Sequence, residues 1–187
     1  MLERFPTSTL CDVAGPAIAL DRRIRQLVPG LAMVGRALPV HATGDDNGPI
    51  ARAVAVAEPG DVLVVDGAGR EAVALVGGIM ARRALVRGVA GVVVDGSVRD
   101  LDELVELGLP VYALGGNPVP PAKVDVRDPV EAVSCGGVQV HRGDVVTGDR
   151  DGVVVVAAGE WERIADAARE ASAREAEIVR GIGVPVD

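Results

Sequence analysis

Aromatic side chains are almost missing from this chain of 187 residues: Phe5, Tyr112 and Trp161 are the whole set. Stacked bases would find almost no platform. Basic charge is also short, with a formal net charge of −8 and no segment that gathers arginines into one face. A duplex-binding protein needs such a face, so direct nucleic-acid binding is not expected. Two histidines, His41 and His141, and two cysteines, Cys11 and Cys135, do not form a zinc-ligand spacing. They are also too few and too scattered for a Ser-His-Asp arrangement to be argued. Both cysteines sit in apolar settings and read as buried free thiols. No apolar run approaches the roughly 20 residues of a membrane helix. The opening "MLERFPTSTL" carries no apolar core of a secretory signal. The expectation is a cytoplasmic protein with no membrane partner.

Hydrophobic residues make up 49% of the chain. At this length they can build a real core, and one domain over residues 1–187 is expected. "TSTLCDVAG" reads as a short helix capped near Thr7 or Ser8, and "AMVGRALPV" as a strand ended by Pro39. "GDDNGPIARAVAVAEPG" holds a helix starting after Asp45 to Gly48 and stopping before Pro59-Gly60. "DVLVVDG", "GVVVDG" and "LPVYAL" read as strands. "IMARRALVRG" and "LDELVELG" read as helices ended by Gly88 and Gly108. After "GGNPVPPAK" the texture changes. "KVDVRD", "GGVQV", "GDVVTGD" and "DGVVVVA" look like short antiparallel or mixed strands between tight turns. The chain closes on "EWERIADAAREASAREAEIVRG", a long helix with Glu170 and Arg174 in the favourable i, i+4 order. Its inner face is mostly alanine, suited to close packing on another surface, a neighbouring subunit included. The architecture expected is α/β, a central sheet flanked by helices with a β-rich second half.

One phrase occurs twice. "VVDGAGR" (Val64 to Arg70) and "VVDGSVR" (Val93 to Arg99) share Val-Val-Asp-Gly-x-x-Arg, 29 residues apart. Strand, helix, strand is a right-handed crossover with parallel strands. Ligands of open α/β sheets sit at the carboxyl ends of such strands. Asp66, Arg70, Asp95, Arg99 and Asp100 are therefore candidates for one crevice, although Asp66 and Asp95 also suit turns before glycine. Between the units, "REAVALVGGIMARRALVRG" reads as helical but contains Gly77-Gly78. A glycine inside a helix costs roughly 1 kcal/mol relative to alanine. A helix that begins at or after Gly78 avoids this, and the amides of Ile79 and Met80 then form an anion site. Arg99 stands in the first turn of the next helix, where a positive charge opposes the dipole. It is well placed there if an anionic ligand arrives, and its fork matches a carboxylate. Asp100 has a plain alternative as a helix cap with Ser97 or Glu103. Gly67-x-Gly69-x-x-Ala72 is a loose dinucleotide fingerprint, but the next strand-end acid, Asp95, lies 28 residues on instead of about 20.

"LVGGIMARRALVRGVAGVVVDGSVRDLDELVELGLPVYALG" resembles the class II 4-hydroxy-4-methyl-2-oxoglutarate aldolases, a family that includes the regulator of ribonuclease E activity A. "GDDNGPIARAVAVAEPGDVLVVDG" and "CGGVQVHRGDVVTGDRDGVVVV" extend the likeness over most of the chain. The resemblance implies a swivelling β/β/α-type fold with a mixed sheet and a long C-terminal helix, and a homotrimer or hexamer with sites near subunit boundaries. It implies a divalent metal, Mg²⁺ or in its place Mn²⁺, held by Asp100. It also implies a 2-oxo acid substrate whose pyruvate unit is gripped by Arg99 and by the helix start at Gly78, Ile79 and Met80. Arg99 and Asp100 would carry the catalysis, an aldol cleavage or an oxaloacetate decarboxylation through a pyruvate enolate. Aldolase members carry an acid where this chain has Gly78. Decarboxylation removes no hydroxyl proton, so it should suffer less from that loss. The regulator branch implies the other outcome, a non-catalytic protein that acts on a ribonuclease by protein binding.

Overall fold

A computed structural model describes residues 2–42 and 44–182. The mixed sheet is built on four parallel strands: β2 (Met33–His41), β3 (Asp61–Val76), β4 (Gly91–Val98) and β5 (Val111–Gly116). The short β1 (Arg25–Gln26) runs antiparallel to β5 at one edge. At the other edge β8 (Val145–Gly148) pairs antiparallel with β2, and β9 (Val153–Val156) with β8. The seven-stranded order is β1-β5-β4-β3-β2-β8-β9. A separate hairpin, β6 (Ala132–Cys135) with β7 (Val138–His141), covers one face.

Strand alternation divides the core. Leu63, Val65, Val92 and Val94 point to the helical side. There they meet α2 (Gly48–Val56), α3 (Gly78–Val86) and α4 (Leu101–Leu107) through Ile50, Ala53, Ala81 and Leu104. The intervening Val62, Val64 and Val93 face Tyr112, Cys135 and Val140 beneath the hairpin. Such alternation is what a sheet covered on both faces requires. A third cluster joins α1 (Thr7–Ala14) and α5 (Trp161–Ile182) to β8 and β9 through Leu10, Val154, Trp161 and Ala168. Only the first turns of α5 are buried; Ile178 and Ile182 are exposed.

Several sequence expectations need correction. The β2 strand passes through Pro39 and ends at His41. The N–H groups of Arg36 and Ala42 point toward β3, and that of Ala37 points the other way, to Asp144. Position 39 shares the Ala37 direction, beyond the end of β8, so proline's missing donor is not needed there. "REAVALV" is not helical: it is the last part of β3. "KVDVRD" is irregular throughout, and the isolated bridge to Asp46 is made by the preceding residue, Ala122. Neither Thr7 nor Ser8 caps α1. The Asp149 carboxylate does so from the far end of β8, accepting the Thr7 N–H and hydroxyl at 2.8 and 2.7 Å. Cys135 is buried, but Cys11 is only half-buried. Burial pushes both thiols above their ordinary range, so neither is poised as a thiolate.

Candidate functional site

The β3 and β4 strands stay in register from Val62/Gly91 to Val65/Val94, and then part. After Asp66 the register shifts in an excursion: β3 meets β4 at Arg70/Gly96, bulges away again, and returns at Ala74/Ser97 and Val76/Val98. The functional strand ends are therefore Val76 and Val98, not the two Asp-Gly pairs. Val76 leads straight into Gly77 and α3, and Val98 into Arg99 and α4. Arg99 donates its backbone N–H to Val76 O at 2.9 Å, which locks the two ends together.

The first Val-Val-Asp-Gly unit thereby leaves the crevice expected of it. Asp66 accepts the Ala68 N–H at 2.9 Å, a turn bond, and lies 3.0 Å from His41 Nδ1. Arg70 is exposed on the excursion. Asp95 accepts the Gly136 N–H at 3.0 Å and anchors the hairpin turn. The strand also removes the dinucleotide reading, since no helix follows Gly67 and Gly69.

The second unit behaves differently. Arg99 and Asp100 line a cavity of about 610 Å³ together with Gly77, Ile79 and Met80. In α3 the first intrahelical bond runs from the Ala81 N–H to Gly77 O. The amides of Gly78, Ile79 and Met80 therefore have no carbonyl partner within the helix. The Asp100 Oδ2 accepts the Gly78 N–H at 2.9 Å, and Arg99 Nε lies 3.5 Å from the same oxygen. Both side chains are little more than one-third exposed.

Asp100 occupies the N-cap position of α4 but makes no side-chain cap there. Its backbone is left-handed, φ 59° and ψ 43°. Ala68 is the other non-glycine residue with positive φ among those described. Aspartate tolerates this conformation better than most residues, at some cost in strain. The twist turns the carboxylate away from its own helix and onto the start of α3. Ser97 takes no part in a capping box, being buried in β4 with its hydroxyl unpartnered. Gly77 is glycine for lack of room: a Cβ there would stand 2.7 Å from Asp100 Oδ2 and 2.9 Å from Arg99 Cγ.

Three features of the cavity were not read from the sequence. Asn47 is buried at the start of α2 and donates to Leu75 O at 3.0 Å, tying that helix to β3. The segment around Pro120 to Val126 forms the opposite wall and brings Lys123. Asp46 fastens it, accepting N–H bonds from Gly48, Val124 and Asp125 at 2.7, 2.7 and 3.1 Å. Burial pushes the Asp46 carboxyl up, but these three donors outweigh it and hold it below its ordinary range. Glu103 is the third feature. From α4 its carboxylate reaches over Gly78, held by Arg82 Nε at 2.8 Å. Apart from the local Asp46–Gly48 bond, these contacts join residues 21 to 79 positions apart in the chain, which no local pattern reveals. Arg52, Arg83, Arg99 and Lys123 share the cavity lining with Asp100, Glu103 and Asp125, a mixed setting able to take an anionic ligand together with a cation.

No cluster of three His, Cys, Asp or Glu side chains suited to a metal occurs among the described residues. An all-protein cage is thus not formed. Mg²⁺ commonly takes one or two carboxylates and fills its shell with water and ligand oxygens. Asp100 fits that mode as a single carboxylate ligand.

The Aldolase/RraA family model matches residues 7–155. A Halalkalibacterium halodurans protein, named as a candidate 4-hydroxy-4-methyl-2-oxoglutarate aldolase, is 32% identical over 169 residues, 90% of this chain and 80% of its own. An uncharacterized Pseudomonas syringae protein of known structure superposes with a TM-score of 0.87 at 26% identity, covering 98% of this chain and 86% of its own. The RNA-processing inhibitor RraA from Thermus superposes with a TM-score of 0.74 at 33% identity, covering 83% and 93%.

Proposed function

Because the chain belongs to the Aldolase/RraA family, we propose that it is a divalent-metal-dependent lyase acting on 2-oxo acids through a pyruvate enolate. The observation that carries this reading is the convergence of Arg99, Asp100 and the first amides of α3 on one cavity. Arg99 grips the substrate carboxylate with its planar fork. The amides of Ile79 and Met80, at the positive end of the α3 dipole, favour negative charge as it builds on the substrate oxygen. Asp100 would hold Mg²⁺ or Mn²⁺, whose part is Lewis-acid polarisation of the 2-oxo group. The wall of residues 120–126, pinned by Asp46, bounds one side of the cavity. Aldol cleavage of a 4-hydroxy-2-oxo diacid and decarboxylation of oxaloacetate both fit this arrangement.

A homotrimer or hexamer is part of the proposal. Its support is apolar surface beside the cavity: Ile79 is 68% exposed, Val86 87% and Val126 83%. The exposed second half of α5 is a further surface to cover.

Pyruvate release from a panel of 2-oxo acids, with Mg²⁺ and with a chelator, tests the reading. Metal-dependent release from one of them is expected. The likeness to an RNA-processing inhibitor supports a second reading, a regulator that binds a protein partner. No release from any substrate, with or without metal, would favour it.

A further inference from the structure

Gly78 has no side chain, yet a carboxylate fills the space that one would take. A Cβ built on Gly78 would stand 1.9 Å from Glu103 Oε2, 2.2 Å from Cδ and 2.5 Å from Oε1. All three nearest atoms belong to the head of Glu103. The Arg82 Nε holds that head at 2.8 Å, and the Glu103 side chain is 34% exposed. The Asp100 Oδ2 meets the same Gly78 from its N–H side. Two carboxylates therefore converge on one glycine at the mouth of α3, and both line the cavity. An ion pair of helix surfaces would be a sufficient account of Arg82 and Glu103 if it lay on open surface, where such pairs contribute little. Here the carboxylate lies inside the cavity that holds Arg99 and Asp100, and any larger residue at 78 would have to displace it.

We infer that Glu103 is the proton-transfer carboxylate of this site, delivered from α4 into the place left by Gly78. The inference rests on the 2-oxo acid reading above and assigns the base which that reading lacks. In aldol cleavage Glu103 takes the proton of the C4 hydroxyl. The C4–O bond becomes a carbonyl, and the C3–C4 bond breaks. Its electron pair moves to C3 and the 2-oxo oxygen as the enolate. The proton held by Glu103 is then returned to C3, giving pyruvate. Read in reverse, the same group removes a C3 proton from pyruvate itself. Arg82 is a positioning residue that keeps the carboxylate over Gly78.

Wild type, Glu103→Gln, Glu103→Ala and the double variant Gly78→Asp/Glu103→Ala separate the outcomes. Two quantities are measured with Mg²⁺: oxalate binding by calorimetry, and exchange of pyruvate methyl protons in D₂O by NMR from pH 6 to 9. Exchange in Glu103→Gln should fall about 100-fold or more, the scale of lost general acid–base catalysis, with oxalate affinity within about threefold of wild type. Aspartate at 78 should restore exchange at least about tenfold over Glu103→Ala, since a short acid there reaches the same space. Gly78→Asp alone should melt below the double variant, because two carboxylates then contest one site. That last readout needs no metal and no activity. Exchange in Glu103→Gln close to the wild-type rate would overturn the inference and leave the 2-oxo acid reading standing. So would joint loss of oxalate binding and exchange, which marks a structural role, or a double variant no better than Glu103→Ala. A wild type that neither binds oxalate nor exchanges pyruvate protons would sink the reading itself.

Discussion

The two Val-Val-Asp-Gly-x-x-Arg segments are nearly the same words with different fates. Through Val64-Val65 and Val93-Val94 they are side by side in register, both buried. After the aspartates they diverge. The first runs into an excursion that leaves Arg70 exposed and uses Asp66 for a turn and for His41. The second stays in β4 as far as Val98 and releases Arg99 and Asp100 into the cavity. Position along the strand decides between them, not composition. On the proposed reading, Arg99 is placed for a ligand because its strand ends beside the start of α3, whereas Arg70 is not.

The largest expected difference between the units is in turnover. Asp100→Asn keeps a side chain that tolerates a left-handed backbone and can still accept the Gly78 N–H, so the fold should survive. It removes the charge a hard cation prefers. Metal-dependent oxaloacetate decarboxylation should fall by orders of magnitude, since Lewis-acid stabilisation contributes several kcal/mol. Asp66→Asn should leave the rate unchanged. Equal losses in the two variants, measured at matched melting temperature, would erase the distinction.

Next in size is the arginine pair. Arg99→Lys keeps the charge but loses the fork, and its oxalate affinity should drop by about tenfold, or roughly 1.4 kcal/mol. Arg70→Lys should bind as wild type does. Gly77→Ala sharpens the same point by crowding Arg99 and Asp100 together. It should lower turnover with little change in the secondary structure seen by circular dichroism.

The smallest effect concerns the wall of the cavity. The Asp46 carboxyl is held below its ordinary range. Its contribution is thus complete above the unfolded-state value near 3.9 and is lost as pH falls through the lower folded-state value. Asp46→Asn should cost about 1 kcal/mol at neutral pH. The variant's margin below wild type, followed by denaturant unfolding, should narrow in acid. A margin that stays constant down to pH 2 would remove Asp46 as the clasp.

Much of the fold is legible in the sequence because glycine and proline punctuate it. Gly88 and Gly108 close α3 and α4 with positive φ, and Gly77-Gly78 correctly marks the start of α3. "REAVALV" misleads because its alanine, leucine and glutamate favour helix, while pairing with β4 overrides that preference. "KVDVRD" alternates like a strand, but it serves as a cavity wall fastened by Asp46. At the site, Arg99, Asp100, Ile79 and Met80 are readable since each lies at an element boundary with its own local oddity. Asn47, Lys123 and Glu103 are not, because only tertiary packing brings them there. Glu103 even reads as an ordinary first-turn acid of α4.

The most direct test of the central claim is calorimetric titration of oxalate into wild type, Asp100→Asn and Asp66→Asn, each with and without Mg²⁺. The account predicts that wild type and Asp66→Asn bind only with Mg²⁺ and that Asp100→Asn does not bind in either condition. Undiminished Mg²⁺-dependent binding by Asp100→Asn would contradict it.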